Sequence, residues 1–332
     1  YFTLPETIHQ AIQQPASFIE KLPHFKPILP DQNQQPARYT QVPFAQFIPK
    51  QITPIKLNTQ ILKDQNHCSM RAFWAHHLQL AAPFAPDQPN VKRLRGIICH
   101  KIMADFWTNM QTQENLLTID QDELQSILES LTRDAMQATY QDNAWMQQKM
   151  MQHIEYQQIV KWIIAFIEQE KFRPPFRVVA VEQKDTIQVA GTIFNVRYDR
   201  IDQTDQGMIL VDYKTGHAHP KNWLDAKPMD PQVPLYVQSK TYAFVSADYA
   251  LIQGAGAKIL DGADFVSKHS EAPPIEAWQQ FIEDSDTHLK HCMDAFTTEH
   301  AERNPREGWQ QCQTCDFHRL CRIEEMEQRH ES

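Results

Sequence analysis

Between Phe176 and Tyr213 the apolar residues recur at every second position, the period of a strand, whereas the segments before them repeat every three to four, the period of a helix. Arg177–Glu182, Thr186–Ala190, Ile193–Ile201 and Met208–Tyr213 each read as a short strand. Turn residues separate them, most clearly Thr204-Asp205-Gln206-Gly207. Four such strands joined by tight turns predict a β-meander. A sheet of this kind must be covered, and the rest of the chain offers mostly helices to cover it. The expectation is an α/β fold, a small sheet flanked by helices.

The helices are legible from their spacing. Thr59 to Leu80 has helical character, and Val91–Met110 repeats through Leu94, Ile97, Ile98, Ile102 and Phe106. Asp120–Tyr140 and Ala144–Phe172 read as two more. The second is long and amphipathic, with Trp145, Ile154, Ile159, Trp162, Ile163 and Phe166 as a packing stripe, and Arg173-Pro174-Pro175 ends it. After the meander, Gln232–Tyr236 opens a helix, Ala243–Gln253 reads as a further strand, and Pro274–Glu302 as a long helix. Residues 1–55 are rich in Pro and Gln. They read as a connecting segment from an upstream domain, with a short helix near Glu6 to Glu20, and a disordered tail is the alternative. The folded domain is assigned to residues 56–332. The chain opens on Tyr1 rather than Met, which suggests a piece of something longer.

Composition narrows the function classes. The formal net charge of −9 argues against a protein that coats nucleic acid, which would be basic. It leaves room for an enzyme whose basic groups line a single groove. No run of 18 apolar residues exists and no secretory signal pattern stands at the N-terminus, so no membrane partner is expected. Only 8 Gly in 332 residues suits a helix-rich chain.

The fourth strand ends in Val211-Asp212-Tyr213-Lys214-Thr215-Gly216. Alternation puts Asp212 and Lys214 on one face and Val211 and Tyr213 on the other. Across the Thr204–Gly207 turn, antiparallel pairing would bring Asp199 beside Asp212 and Lys214. Two carboxylates that close do not both stay ionised without a cation between them, and hard oxygen ligands suit Mg²⁺ or Mn²⁺. With a lysine next to them, such a pair is equipped for metal-assisted phosphodiester hydrolysis. A bare D-x-K is also common as a solvated surface ion pair, so the context has to decide.

That context resembles a known family. Asp199 followed by Asp212-Tyr213-Lys214 is similar to the PD-(D/E)XK nuclease core, in the form found in RecB and AddB nuclease domains. The wider string YDRID…ILVDYKTG…PQVPLY is much more specific than D-x-K. The resemblance runs from about Leu57 to Ile323, and it points to the C-terminal nuclease domain of bacterial AddB-like DNA repair proteins. It implies a restriction-endonuclease-like core, a small mixed sheet flanked by helices, with a helical N-terminal part. It implies a Mg²⁺ or Mn²⁺ ion held by Asp199, Asp212, the backbone carbonyl of Tyr213, and His100. A histidine on a helix is by itself more often structural, but the family carries a metal-contacting His after a stretch like Gly96–His100. Lys214 would position or activate the water. Gln232 and Tyr236, four apart on one helix face, would hydrogen-bond near the metal or the DNA backbone. Glu182 stands between a site role and a hairpin ion pair, and Arg200 between a phosphate contact and a carboxylate contact. The implied setting is bacterial and cytoplasmic, with DNA as substrate, in repair and recombination, and a helicase-like domain or helicase subunit as partner.

Cys312, Cys315 and Cys321 form C-x2-C-x5-C near the C-terminus, which in a chain read as cytosolic suggests metal more than disulfides. The spacing does not choose between zinc, which could recruit His318, and an iron–sulfur cluster. The resemblance implies a [4Fe-4S] cluster completed by a distant N-terminal cysteine. Cys68, in Cys68-Ser69-Met70-Arg71-Ala72-Phe73, occupies the matching place, although Ser and Met replace the Pro and Phe of the family's Cys-Pro-Phe-Arg-Ala-Phe. Such a cluster would staple the N- and C-terminal segments together. Cys99 and Cys292 receive no role. The competing function class is a non-cleaving DNA-binding or scaffold module with a structural zinc or iron–sulfur site, against which the intact Asp199, Asp212 and Lys214 argue.

Overall fold

The computed structural model describes residues 58–80, 91–141, 149–253, 256–298 and 301–321, and the backbone of 7–8 and 11–12. The chain forms two units, Tyr1–Pro49 and Lys50–Ser332. In the first, β1 (Thr7–Ile8) and β2 (Ala11–Ile12) pair antiparallel, Thr7 with Ile12 and Ile8 with Ala11. This replaces the helix expected near Glu6–Glu20 at those positions, and the β-branched Thr7, Ile8 and Ile12 favour the extended form. The rest of that expectation lies outside the described residues.

The second unit opens with α1 (Thr59–His67), capped by Asn58, whose side chain accepts from the Gln60 amide. Cys68 is an extended residue between α1 and α2 (Ser69–Ala72), and one wide turn, Phe73–His77, continues the helix. Then come α3 (Val91–Met110), α4 (Gln113–Thr118), α5 (Gln121–Tyr140) and α6 (Lys149–Glu170). Asp120 caps α5 through the amides of Asp122 and Glu123. The part of the expected helix before Lys149 lies largely outside the described residues.

The sheet follows: β3 (Arg177–Val189), β4 (Thr192–Gln203), β5 (Met208–Lys214), then α7 (Lys221–Leu224), α8 (Gln232–Tyr236), β6 (Phe244–Leu251) and β7 (Lys258–Asp261). The strand order is β3-β4-β5-β6-β7. All neighbours are antiparallel except β5 and β6, which are parallel because the chain crosses over through α7 and α8. Helices α9 (Gly262–Lys268), α10 (Pro274–Thr297) and α11 (Trp309–Gln313) follow among the described residues. The mixed five-stranded sheet flanked by helices agrees with the expected α/β class.

One expectation is corrected. The first two strands of the meander are a single strand, β3, running through the polar residues Gln183-Lys184-Asp185. That stretch reads as a break, but it is extended because it pairs with Val196–Tyr198 of β4. Asp185 is also held by the hydroxyls of Tyr198 at 2.9 Å, Ser239 at 2.9 Å and Thr241 at 3.3 Å. The real turn is Ala190-Gly191, both at positive φ (47° and 78°), the geometry a two-residue hairpin needs.

Two buried cores sandwich the sheet. One gathers α1, α8 and α10 around Phe194, Tyr198, Ile201, Leu210 and Tyr249. The other gathers α3, α5 and α6 around Val211, Tyr213 and Ala250. Strand β4 gives Phe194, Val196 and Tyr198 to the first core, then gives it Ile201, so its side chains change face between Tyr198 and Ile201. Five consecutive residues, Tyr198–Asp202, are buried there. The partner strand changes with it: Glu182, midway between the pairs Val181–Arg200 and Gln183–Tyr198, has φ 50°. The hairpin is kinked at Glu182 and Asp199.

Candidate active site at the strand kink

The kink and the ladder register set three carboxylates in a row. Glu182 lies opposite Asp199 in the β3–β4 ladder, and by extension of the β4–β5 register Asp199 lies opposite Asp212. Residues directly opposite on one face have their Cβ atoms about 5 Å apart. A non-glycine residue at positive φ is strained, and Glu182 takes that strain at the position where the row begins.

Helix α3 runs behind the row and delivers His100. Its Nδ1 lies 3.2 Å from Asp199 Oδ1, and its Nε2 lies 3.0 Å from the Tyr213 carbonyl oxygen. The other Asp199 oxygen accepts from the Tyr213 amide at 2.9 Å. His100, Asp199 and Tyr213 therefore already touch one another. His100, Glu182 and Asp199 each offer a ligand atom within 4.8 Å of the others, the one such group of three His, Cys, Asp or Glu among the described residues. Glu182 is also paired with Arg197 at 2.8 Å. Both readings offered for Glu182 are thus present in its contacts.

Lys214 completes the strand end. Its ammonium is 2.7 Å from Asp212 Oδ2, 3.2 Å from Gln232 Oε1 and 3.4 Å from Asp230 Oδ2. Gln232, on α8, also donates to Asp212 Oδ1 at 2.9 Å and lies 3.1 Å from the Tyr236 hydroxyl. Of the residues expected from sequence, Gln232 meets Asp212 and Lys214 here and Tyr236 meets Gln232, while Asp199 meets His100 and Tyr213. Asp230 and Tyr249 belong to the Lys214 cluster too and were missed. Asp230 sits in the loop before α8, where no periodicity assigns it a direction. The only available signal was its place two residues before Gln232.

The electrostatics follow from burial. Asp212 is 1 % exposed, and desolvation pushes its carboxyl up to about 6 despite the charge of Lys214, with Asp199 and Asp230 adding repulsion. Its Oδ2 meets the Lys214 ammonium at 2.7 Å. Burial opposes the charge on Lys214, but Asp212 and Asp230 outweigh it and hold the ammonium well above the usual lysine range. Burial likewise opposes charging of His100, and the hydrogen bond and charge of Asp199 reverse this and raise its pKa. The buried carboxylates of Asp199 and Asp212, with an imidazole and a carbonyl beside Asp199, are oxygen and nitrogen donors of the kind that fits a hard divalent cation.

Arg200 points the other way, into the second core. It touches carboxylates, not the site: Glu170 at 2.9 Å and Asp202 at 2.8 Å, and it donates to the Tyr213 hydroxyl at 3.1 Å.

The cysteines form a second constellation. Cys68, Cys312, Cys315 and Cys321 line one recess with Arg71 and Trp74. Burial raises the Cys312 thiol, and the neighbouring Cys68, Cys315 and Cys321 raise it further. The N-terminal helices are zipped to the C-terminal segment around this recess: Met70 N to Glu302 O at 2.9 Å, Arg306 N to His67 O at 2.9 Å, and Ser69 N to Asn304 Oδ1 at 2.8 Å. Cys99 and Cys292 lie outside the recess, each pushed up to about 12, by burial above all.

Among the described residues no helix is long and apolar enough to cross a membrane. Among curated proteins no relative matches the chain. The family comparison does match, over residues 56–322, a span that holds the sheet, the kinked carboxylate row, Lys214 and all four recess cysteines. The chain belongs to the PD-(D/E)XK nuclease superfamily.

Proposed function

We propose that this chain is a metal-dependent DNA nuclease whose reaction centre is the cluster of Asp199, Asp212, Lys214 and His100. The observation that carries the reading is that His100 meets Asp199 and the Tyr213 carbonyl while Lys214 meets Asp212, all at the end of one strand pair. Asp199, Asp212, the Tyr213 carbonyl and His100 would hold Mg²⁺ or Mn²⁺. When bound, such an ion supplies Lewis-acid stabilisation of charge on the phosphate and acidifies water. Lys214, beside Asp212 and Asp230, would position or activate the water and neutralise charge growing on the phosphate. Gln232 ties Asp212 to Lys214, and Tyr236 braces Gln232.

The test is incubation with end-labelled linear DNA and with circular DNA at several Mg²⁺ and Mn²⁺ concentrations. Metal-dependent cleavage is expected, and sparing of the circle identifies an exonuclease. Intact substrates under every condition sink the reading. The resemblance further supports work in bacterial DNA repair and recombination, in the cytoplasm, next to a helicase-like domain or subunit.

The recess cysteines are proposed to hold a [4Fe-4S] cluster. Support comes from the convergence of Cys68, Cys312, Cys315 and Cys321 on one recess, four thiols for the four irons of such a cluster, and from the resemblance. Binding free energy at such a site is largely folding free energy. Cys68→Ala should therefore lower iron content and melting temperature together, while Cys292→Ala lowers neither the iron content nor the absorbance near 400 nm. One zinc and no iron per chain would overturn the assignment.

A further inference from the structure

The proposed chemistry asks Asp212 to do two things. It must offer its oxygens to a cation, and in the structure it is also the closest partner of Lys214, at 2.7 Å. A carboxylate engaged by a divalent ion has little charge left for an ammonium, and the ion repels that ammonium. Lys214 would then swing out into solvent, since its side chain is 22 % exposed, unless a second anion holds it.

Asp230 is placed to be that anion. One of its oxygens is 3.4 Å from Lys214 and accepts from the Tyr249 hydroxyl at 2.8 Å, and Tyr249 is fixed by the Trp223 indole at 2.7 Å. The other accepts from the Gln232 amide at 3.3 Å and faces Lys63 at 3.6 Å. Tyr249 lies beside Asp212 in the parallel β5–β6 ladder, so this chain of contacts is built into the sheet. No contact joins Asp230 to Asp199, His100 or the Tyr213 carbonyl among the described bonds, which keeps it out of the proposed ligand set.

Resting on the nuclease reading, we propose that Asp230 is a positioning residue. It holds Lys214 over the reaction centre when Asp212 is engaged by the cation, and Trp223 and Tyr249 hold Asp230.

The experiment pairs kinetics with a readout that needs no cleavage. Asp230→Asn should lower kcat about 10- to 100-fold while the DNA KM and Mn²⁺ affinity stay within about twofold, and Asp230→Glu should recover most of the rate. In a Lys214→Ala background, Asp230→Asn should cost nothing more, because it acts only through Lys214. In parallel, Mn²⁺-saturated protein is treated with an amine-acylating reagent and read by peptide mass spectrometry, with Lys101 as internal reference. Lys214 should acylate several-fold faster in Asp230→Asn than in the wild type. Unchanged acylation of Lys214 overturns the proposal, as does an additive rate loss in the double variant or a loss of Mn²⁺ affinity. If the wild type does not cut DNA, the nuclease reading fails, and the acylation result still decides whether Asp230 holds Lys214.

Discussion

On one face of β4 and β5, Arg200 and Arg173 lie among Glu170, Asp202 and Asp248; on the other, Lys214 lies among Asp199, Asp212 and Asp230. Both groups are acid-rich and mostly buried, and they are one strand apart. They differ in how the positive charge is delivered. The Arg200 fork meets Glu170 and Asp202, and Arg173 meets the same two at 2.9 Å and 2.6 Å. Arg200 is fully buried, with its guanidinium 4.5 Å from the Trp107 ring. Burial works against ionised Glu170, but the two guanidiniums outweigh it and keep its pKa below the usual carboxylate range. At the other face Lys214 is shared between Asp212 and Asp230, with Lys63 and His100 at the outer carboxylates, and burial pushes Asp212 up to about 6. Planar, bidentate arginines can neutralise a buried acid pair from within the protein, whereas a point charge on a flexible stem leaves charge for a ligand to supply. The first face is organised for the fold, and the second is the one proposed to take a cation.

The comparison breaks most visibly at Arg200. Arg200→Met keeps the volume and removes the fork, leaving Glu170 and Asp202 to Arg173 alone. Breaking a buried ion network from one side typically costs about 3–5 kcal/mol, and urea unfolding should show a loss of that size. A loss under about 1 kcal/mol would mean the network is dispensable to the fold.

At the site face the same kind of change should act the opposite way. Lys214→Ala should leave the urea midpoint almost unmoved, because the lysine relieves a repulsion that a cation can relieve as well. It should cut DNA cleavage about 100- to 1000-fold, the usual size for removing a group that stabilises transition-state charge. Asp212→Asn should instead lose Mn²⁺ affinity, seen by titration calorimetry. Unaltered cleavage by Lys214→Ala would remove the lysine from the reaction.

What could be read in advance follows the range of the interaction. Asp199, Asp212 and Lys214 were legible because one turn, Thr204–Gly207, fixes their register, and strand alternation fixes their faces. His100 and the pairing of Cys68 with the C-terminal cysteines are contacts across long stretches of chain, and only the resemblance pointed to them. The kink was hidden because a run such as Tyr198-Asp199-Arg200-Ile201-Asp202 looks like ordinary alternation, and nothing local says that β4 changes face within it. The arginine network was hidden for a similar reason. Glu170 is one acid among several near a helix end, and Arg200 alone suits a phosphate or a carboxylate, because the partners that bury them come from α3, α6, the loop after it, and β5. The strand through Gln183–Asp185 looks like a break because its polar run is held by pairing with β4 and by Tyr198, Ser239 and Thr241, none of them within the run itself.

The finest test of the contrast lies at the edge of the arginine network. Asp248 is 4 % exposed, and burial pushes its carboxyl up to about 7, since Arg173 is 3.8 Å away and only partly compensates, with Asp261 adding repulsion. The unfolded chain holds this proton with an ordinary aspartate pKa of about 3.9. Between pH 4 and pH 7 the folded state therefore binds a proton that the unfolded state has released, so stability is fully present below about pH 4 and falls as pH rises to about 7. At about 1.36 kcal/mol per pKa unit the loss should be on the order of 4 kcal/mol and then level off. Asp248→Asn retains an oxygen that can accept from Ser246 and the Gly262 amide, as Oδ1 does at 2.9 Å and 3.4 Å, and it cannot ionise. Urea midpoints measured from pH 4 to 8 should match those of the wild type at pH 4 and exceed them at pH 8, with this part of the slope gone. Parallel pH profiles for the two proteins would mean that Asp248 stays ionised, that Arg173 satisfies it as it satisfies Asp202, and that the arginine face carries no unmet charge of its own.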